Sequence, residues 1–276
     1  QRIFSAMLDD NGLSEQEADH YPLKYLINQI KKQFPSPSET LSDGLKNACD
    51  RYRVFAENLW DKKAATANLA ALAELAGGSA EACFPAKDDK FARYANPQLA
   101  ALPPEQQDVW SKIITLALSA NAGKPSEKYL KEAKTLIDGL GADRFKKMLH
   151  GWIEFVCNSE VQTETVTHGA YSYSTHVLPV CSINQTALKG LVWMCSHFHD
   201  STTLSALTQL ALHSYDKIPN LGAPYASVGN ACFYALFRSK GLDGIACLSR
   251  LRLRIKFSNA QNSIVNYLDE AAAQRG

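Results

Sequence analysis

Residues 188–212 read LKGLVWMCSHFHDSTTLSALTQLAL, and residues 229–253, which lie 41 positions further along, read GNACFYALFRSKGLDGIACLSRLRL. The two segments share one apolar pattern at helical spacing. Trp193 aligns with Tyr234, Leu204 with Ile245, Leu207 with Leu248, Leu210 with Leu251, and Leu212 with Leu253. Gly190 aligns with Ala231, so a small residue recurs where two helices can cross closely. The pattern predicts two successive helix pairs.

This repeat predicts the fold class. A period near 40 residues built from helix pairs is typical of HEAT and armadillo repeats. One such unit cannot bury its apolar stripe alone and must stack on its neighbours. We therefore expect an all-α chain with a HEAT/armadillo-like α-solenoid over residues 98–276 and a smaller helical subdomain over residues 1–97. The expected solenoid is right-handed.

Helix breakers and capping residues place the other helices. Pro35 and Pro37 end a first helix that carries the stripe Leu23, Leu26, Ile27 and Ile30. Further helices are predicted over residues 40–62, 64–76, 104–120, 126–140, 142–158, 184–196, 202–217, 229–239, 242–254 and 259–273. Residues 77–103 hold three prolines and read as the least regular part of the amino-terminal half. Within them, residues 87–90 read as a solvated charge cluster.

Residues 159–182 interrupt the helical pattern. Threonine and tyrosine alternate there with other residues, and helix formers are scarce. The insertion is either a β-hairpin that turns at residues 168–170 or a mobile loop. Tyr171 and Tyr173 are its candidates for contact with a partner.

The composition is that of an ordinary globular chain. Apolar residues make up 46% and charged residues 21%, and the net charge of +1 favours neither nucleic acid nor an anionic membrane.

The seven cysteines include no CxxC pair, which predicts reduced thiols and a cytoplasmic protein. No apolar run approaches the roughly 18 residues of a membrane helix. Because the chain begins at Gln1, we expect it to be part of a longer protein.

Six basic residues form the main candidate interaction site, which we call the basic cluster. Its members are Arg238, Lys240, Arg250, Arg252, Arg254 and Lys256, and Asp243 is the only acid among them. Arg250 and Arg254 share one helical face, and Arg252 and Lys256 are predicted to share an adjacent one. The cluster could meet phosphates. Alternatively, its arginines cover the solenoid with their stems and pair with Asp269, Glu270 or carboxylates of a neighbouring repeat.

Two arrangements of reactive residues have simpler explanations. Cys195, His197, His199, Asp200 and the downstream His213 are ligand types that zinc accepts. However, they fall at a turn between helices, where a capping aspartate is expected. No recognised signature surrounds any cysteine, so a cysteine nucleophile is not indicated. We predict no catalytic residue, no metal site and no cofactor.

Four further segments suggest a family. They are residues 188–193 (LKGLVW), 217–219 (KIP), 228–232 (VGNAC) and 248–257 (LSRLRLRIKF). Together they resemble a segment of bacterial proteins related to the molybdate metabolism regulator, which carry a domain of unknown function, sometimes beside a WGR domain. The resemblance covers residues 184–273 and departs from the family at residues 224–227, which are usually more basic. It implies a helical-repeat protein and no catalytic residues.

Three functions follow as hypotheses. The first is a non-enzymatic scaffold that binds a protein partner or another domain of a longer bacterial protein. The second is a nucleic-acid-binding module that uses residues 238–256. An enzyme comes third, because no nucleophile, base or metal set assembles from the sequence.

Overall fold

The structure, a computed structural model, describes residues 23–34, 38, 41, 43–48, 68, 71, 72, 75, 82–168 and 171–274. These residues are mostly helical, and one two-stranded sheet interrupts the helices. The all-α class is therefore confirmed. The helices predicted over residues 40–62 and 64–76 lie largely outside the described residues, and the division at residue 97 stays a prediction.

Apart from α2, the helices whose bounds the structure describes before the sheet follow the predicted breakers and caps. They are α1 (Leu23–Gln33), α2 (Lys90–Ala100), α3 (Pro104–Leu118), α4 (Glu127–Leu140) and α5 (Ala142–Cys157). Ser126 caps α4, since its Oγ accepts the amide hydrogen bond of Tyr129 at 3.1 Å. Gly141, with a φ of 95°, ends α4 in a conformation that glycine tolerates best.

The insertion is a β-hairpin. Strand β1 (Gln162–His168) pairs antiparallel with β2 (Tyr171–Val177), so that Gln162 lies opposite Val177 and His168 opposite Tyr171. The first of the two alternatives, a β-hairpin, is therefore confirmed.

Five helices follow the sheet in the described chain. They are α6 (Ser182–Met194), α7 (Ser201–Ser214), α8 (Ala226–Phe237), α9 (Asp243–Arg254) and α10 (Ser258–Ala273). A short 3-10 turn, Cys195–His197, follows α6. Helix α8 begins three residues before Gly229, the predicted start. The Tyr225 carbonyl accepts the amide hydrogen bonds of Val228 and Gly229 and so closes an earlier first turn.

The helices contact one another in two rows. In the first row α3 packs on α6, α6 on α8, and α8 on α10, and in the second α5 packs on α7 and α7 on α9. Contacts of α7 with α8 and of α9 with α10 join the rows. Aromatic side chains pack in the core near the amino-terminal end of the two rows. The ring of Trp152 lies edge-on to the rings of Phe84 and Trp110, with centroid distances of 5.1 Å and 5.0 Å.

The predicted close crossing is present at Gly190. A methyl group on Gly190 of α6 would overlap the backbone of Ala117 in α3, carbonyl oxygen included. Only a residue without a side chain lets these two helix backbones approach so closely.

The repeat alignment predicts burial correctly at most positions and fails at its last. The members of three pairs are buried: Trp193 with Tyr234, Leu207 with Leu248, and Leu210 with Leu251. Leu253, by contrast, is 76% exposed, so its predicted inward position is wrong. The buried residues of α9 continue from Leu248 and Leu251 to Ile255, and Leu253 lies on the opposite side of the helix from them.

Residues 82–100 are more ordered than their prolines predict. Helix α2 contains Pro97, yet Phe91, Ala95 and Leu99 anchor it in the core with no exposed surface.

Asp89, which belongs to the predicted charge cluster at residues 87–90, is not a solvated charge. Its Oδ1 accepts the Ala92 amide at 2.6 Å, and its Oδ2 accepts from the Cys181 amide at 2.9 Å and from Asn184 Nδ2 at 2.8 Å. Asp89 therefore caps α2 and fixes it to the start of α6.

None of the helices in the described residues combines the length and the apolar character needed to cross a membrane.

Candidate interaction surface

Helix α9 presents Arg250, Arg252 and Arg254 to solvent because its other side is held in the core. Leu248 and Leu251 are fully buried, and Ile255 is buried just beyond the helix end. Gly244 fits against the Leu236 carbonyl, where a methyl group would overlap the backbone. These contacts fix the rotation of α9 about its axis and hence which residues face solvent.

The structure separates the members of the basic cluster. Arg250 and Arg254 lie four residues apart on α9 and share a face, as predicted. The helix ends at Arg254 and Ile255 is extended, so the prediction that Lys256 shares a helical face with Arg252 is wrong. Lys256 instead folds back, and its Nζ donates a hydrogen bond to the Leu253 carbonyl at 3.2 Å.

Arg238 and Lys240 lie in the turn between α8 and α9. Arg238 ends α8 as its C-cap, and both residues are exposed. The Lys240 amide donates to His199 Nδ1 at 3.3 Å, which joins this turn to the equivalent turn of the preceding helix pair. The backbone at Lys240 is thus held while its ammonium group stays exposed.

The charges of the basic cluster are not neutralised by ion pairs among the described residues, although Asp243 lies within the same segment. None of its arginine or lysine side chains forms an ion pair there, and all six residues are exposed. Glu270, an alternative partner, lies 4.0 Å from Lys124 instead. Arg252 and Arg254 do occupy the last turn of α9, where cations favour the negative end of the helix. The sequence-based alternative of pairing with Asp269 or Glu270 therefore finds no support in the described part of the chain.

Two exposed leucines lie between these charges. Leu253 is 76% exposed and Leu242, the N-cap of α9, is 68% exposed. With exposed Ala246 and Ser249 they are spaced 242, 246, 249 and 253, which places them along one side of the helix. We call this set the outer stripe of α9. Arg250 lies beside it, so a narrow apolar strip runs along a cationic edge.

The sequence pattern alone does not indicate the outer stripe. In sequence Leu253 completes the repeat pattern and reads as a core residue. The structure shows that Leu251 and Ile255 are buried on the inward side of this segment. Leu253 therefore lies on the outward side.

The two tyrosines of the hairpin stand apart from α9. Tyr171 pairs with His168 and Tyr173 with Val166 across the two strands. In the described chain, no extensive packing joins the hairpin to α9. The predicted interaction residues therefore fall into two separate regions rather than one site.

Each residue of the possible zinc set has another role. His197 Nε2–H donates to the Leu130 carbonyl at 3.0 Å, His199 Nδ1 accepts from Lys240, and His213 Nδ1 lies 3.3 Å from Asp216 Oδ2. Asp200 caps α7 by accepting the Thr203 amide at 3.0 Å. Within the described residues, no group of three histidine, cysteine, aspartate or glutamate side chains is placed to hold a metal ion.

A polar network surrounds Asp200. The Thr203 hydroxyl donates to Asp200 Oδ2 at 3.0 Å and lies 3.2 Å from His150 Nε2, and Lys146 Nζ lies 3.5 Å from Asp200 Oδ2. Burial opposes ionisation of Asp200, but the Thr203 hydrogen bonds and Lys146 lower its pKa overall. Since Thr203 has no exposed surface and contacts both Asp200 and His150, the network holds the start of α7 against α5.

The cysteines lack the environment of a nucleophile. Cys195 and Cys232 are buried, and burial raises the pKa of both thiols. Cys157 is partly exposed, and burial together with Asp216 raises its pKa to about 12. A reactive cysteine needs a lowered pKa and access to solvent. These three thiols therefore do not support cysteine-based catalysis.

Comparison with protein-family models, curated proteins and solved structures found no match to this chain. The resemblance of residues 184–273 to the molybdate metabolism regulator-like family stays a prediction.

Proposed function

We propose that the chain is a non-enzymatic helical-repeat scaffold that binds a protein partner, or another domain of a longer chain, through α9. One observation carries this proposal: Leu242 and Leu253 are highly exposed on one side of a helix that is edged by unpaired cations. A single exposed leucine is ordinary on a soluble protein, but an apolar strip with a charged border is typical of an interaction site.

The helix contacts support a HEAT-like arrangement. The rows α3–α6–α8–α10 and α5–α7–α9 are those expected when helix pairs stack side by side. In such a stack one helix of each pair lies in each row, so α6 with α7 and α8 with α9 form successive units. The outer stripe then lies on the surface of the second row.

The exposed leucines and the arginines beside them favour an acidic amphipathic segment as the partner. Burying the side chains of Leu242 and Leu253 would contribute about 1.5–3 kcal/mol each. The exposed arginines would add about 0–1 kcal/mol for each rim pair and would favour acidic over basic segments. A helix with leucines on one face and glutamates beside them matches both features of the surface.

Nucleic acid is the second candidate, supported by the lack of ion pairs to the basic cluster within the described residues. The apolar strip disfavours it, because a duplex presents phosphates and no apolar side to cover Leu242 and Leu253. The outer stripe also contains no aromatic residue on which a base could stack.

Fluorescence anisotropy with two labelled probes tests the proposal. One probe is a designed acidic peptide with leucines at helical spacing and glutamates elsewhere, and the other is a short DNA or RNA duplex. Both are titrated across a salt series with the wild type, with Arg250→Glu/Arg254→Glu, and with the matched control Arg144→Glu/Lys147→Glu on α5. Peptide binding that the control retains and the Arg250/Arg254 variant loses supports the scaffold. Duplex binding that falls steeply with salt, without peptide binding, supports the nucleic-acid alternative.

A further inference from the structure

A second candidate site lies away from α9, in a groove between the start of α2 and the end of α5. The groove is shallow and open to solvent along one side. Its lining residues come from both helices and the segment after α5: Lys90, Arg93, Tyr94, Phe155, Asn158, Ser159 and Glu160. Asp89 holds the amino-terminal end of α2 in place, so this wall of the groove is fixed.

An aromatic pair forms the apolar part of the groove. The rings of Tyr94 and Phe155 stack with centroids 4.1 Å apart and planes 7° apart. Phe155 covers one face of the Tyr94 ring, yet Tyr94 remains 39% exposed. The exposed part of Tyr94 is the surface that a further planar ring could contact.

Two cations border the aromatic pair. Lys90 and Arg93 form no ion pair among the residues that the structure describes. The amides of Phe91 and Ala92 donate to the Pro179 carbonyl and to Asp89, so an anion would meet side chains here rather than free helix amides. Glu160, also in the lining, would repel a negative charge placed next to it. The anionic group of a ligand must therefore lie at the α2 side of the groove.

From this arrangement we propose that the groove binds a planar aromatic ring that carries an anionic group, of the nucleoside monophosphate class. The ring stacks on Tyr94, the phosphate lies against Lys90 and Arg93, and the exposed Asn158 amide meets the polar edge of the ring. A free nucleotide and a single nucleotide of a single strand present this same chemistry. The site is separate from α9 and does not depend on the scaffold proposal.

Ligand-observed NMR and calorimetric titration test the site with four probes: AMP, adenosine, inorganic phosphate and a short oligoadenylate. AMP should bind more tightly than either adenosine or phosphate. Arg93→Glu and Tyr94→Ala should each weaken AMP binding by about 10-fold or more, the scale of one lost base stack. Arg144→Glu, an exposed arginine of α5 outside the groove lining, is the matched control.

The outcomes separate the possibilities. Tighter binding of the oligoadenylate than of AMP identifies the single strand as the source of the nucleotide, and the reverse identifies a free nucleotide. Equal binding of AMP and phosphate, or equal AMP affinity in wild type, Arg93→Glu and Tyr94→Ala, overturns the proposal. Because Tyr94→Ala removes a packed ring, its fold is checked by circular dichroism, and Arg93→Glu decides the result if it unfolds.

Discussion

Asn184 Nδ2 donates to Asp89 Oδ2 at 2.8 Å, across 95 positions of sequence. The same amide nitrogen donates to the Ala86 carbonyl at 3.0 Å, and Asn184 has no exposed surface. This buried side chain therefore joins the segment before α2 to the first turn of α6.

Replacing Asn184 should destabilise the fold. Asn184→Ala leaves the Ala86 carbonyl without this partner and removes a bond to a carboxylate, so we expect a loss of about 3 kcal/mol in the free energy of unfolding. Asn184→Asp should cost more, because it places a second carboxylate against Asp89. Urea denaturation measures both, with the exposed Asn262→Ala as control. Equal stability of Asn184→Ala and the wild type would contradict the role of this contact.

The crossing of α3 and α6 gives a second prediction. Gly190→Ala forces a methyl group into the Ala117 backbone, so it should lower stability by about 1–3 kcal/mol or more. Gly151→Ala is the matched control, since a methyl group there meets nothing within 4 Å. That change should raise stability by up to about 1 kcal/mol through helix propensity. Thermal melts of the two variants should therefore shift in opposite directions.

The rotation of α9 can be tested with neighbouring leucines. Leu251→Ala opens a cavity in the core and should cost about 2–5 kcal/mol. Leu253→Ala, two residues away and 76% exposed, should change stability by no more than about 0.5 kcal/mol. If denaturation shows the larger loss for Leu253→Ala, the inward face of α9 is wrongly assigned.

Partly buried histidines predict sensitivity to acid. Burial lowers the pKa of His150, His197 and His213 below the ordinary value of 6.5. As the pH falls, these histidines therefore bind protons in the unfolded chain before they do so in the folded chain. Their contribution to stability is fully present above about pH 6.5 and is lost as the pH falls towards the lowered folded-state pKa values. Denaturation at several pH values should show this decrease. His197→Gln should make it shallower.

Local signals in the sequence predict much of this fold, and tertiary contacts explain the exceptions. Ser126 and Gly141 mark helix ends by their own chemistry, and Gly190 marks a close crossing. Pro97 does not break α2, because the burial of Phe91 and Leu99 outweighs a cost of about 3 kcal/mol. Helical spacing cannot indicate such compensation.

Long-range contacts also limit what can be predicted about the sites. The basic cluster is visible in sequence, but the exposure of Leu253 depends on which neighbours of α9 are buried. The groove next to Tyr94 requires Phe155 from another helix, 61 positions later in the chain. A single sequence contains no signal that joins these two residues.

Affinity for the acidic leucine-bearing peptide, compared between wild type and Leu242→Ser/Leu253→Ser, tests the scaffold function most directly. Leu221→Ser, a change at another exposed leucine, is the control. We predict that the double variant keeps its fold and loses at least about 10-fold in affinity, while the control binds like the wild type. Unchanged peptide affinity in the double variant, or no binding of the peptide by the wild type, would contradict a partner site on the outer stripe of α9.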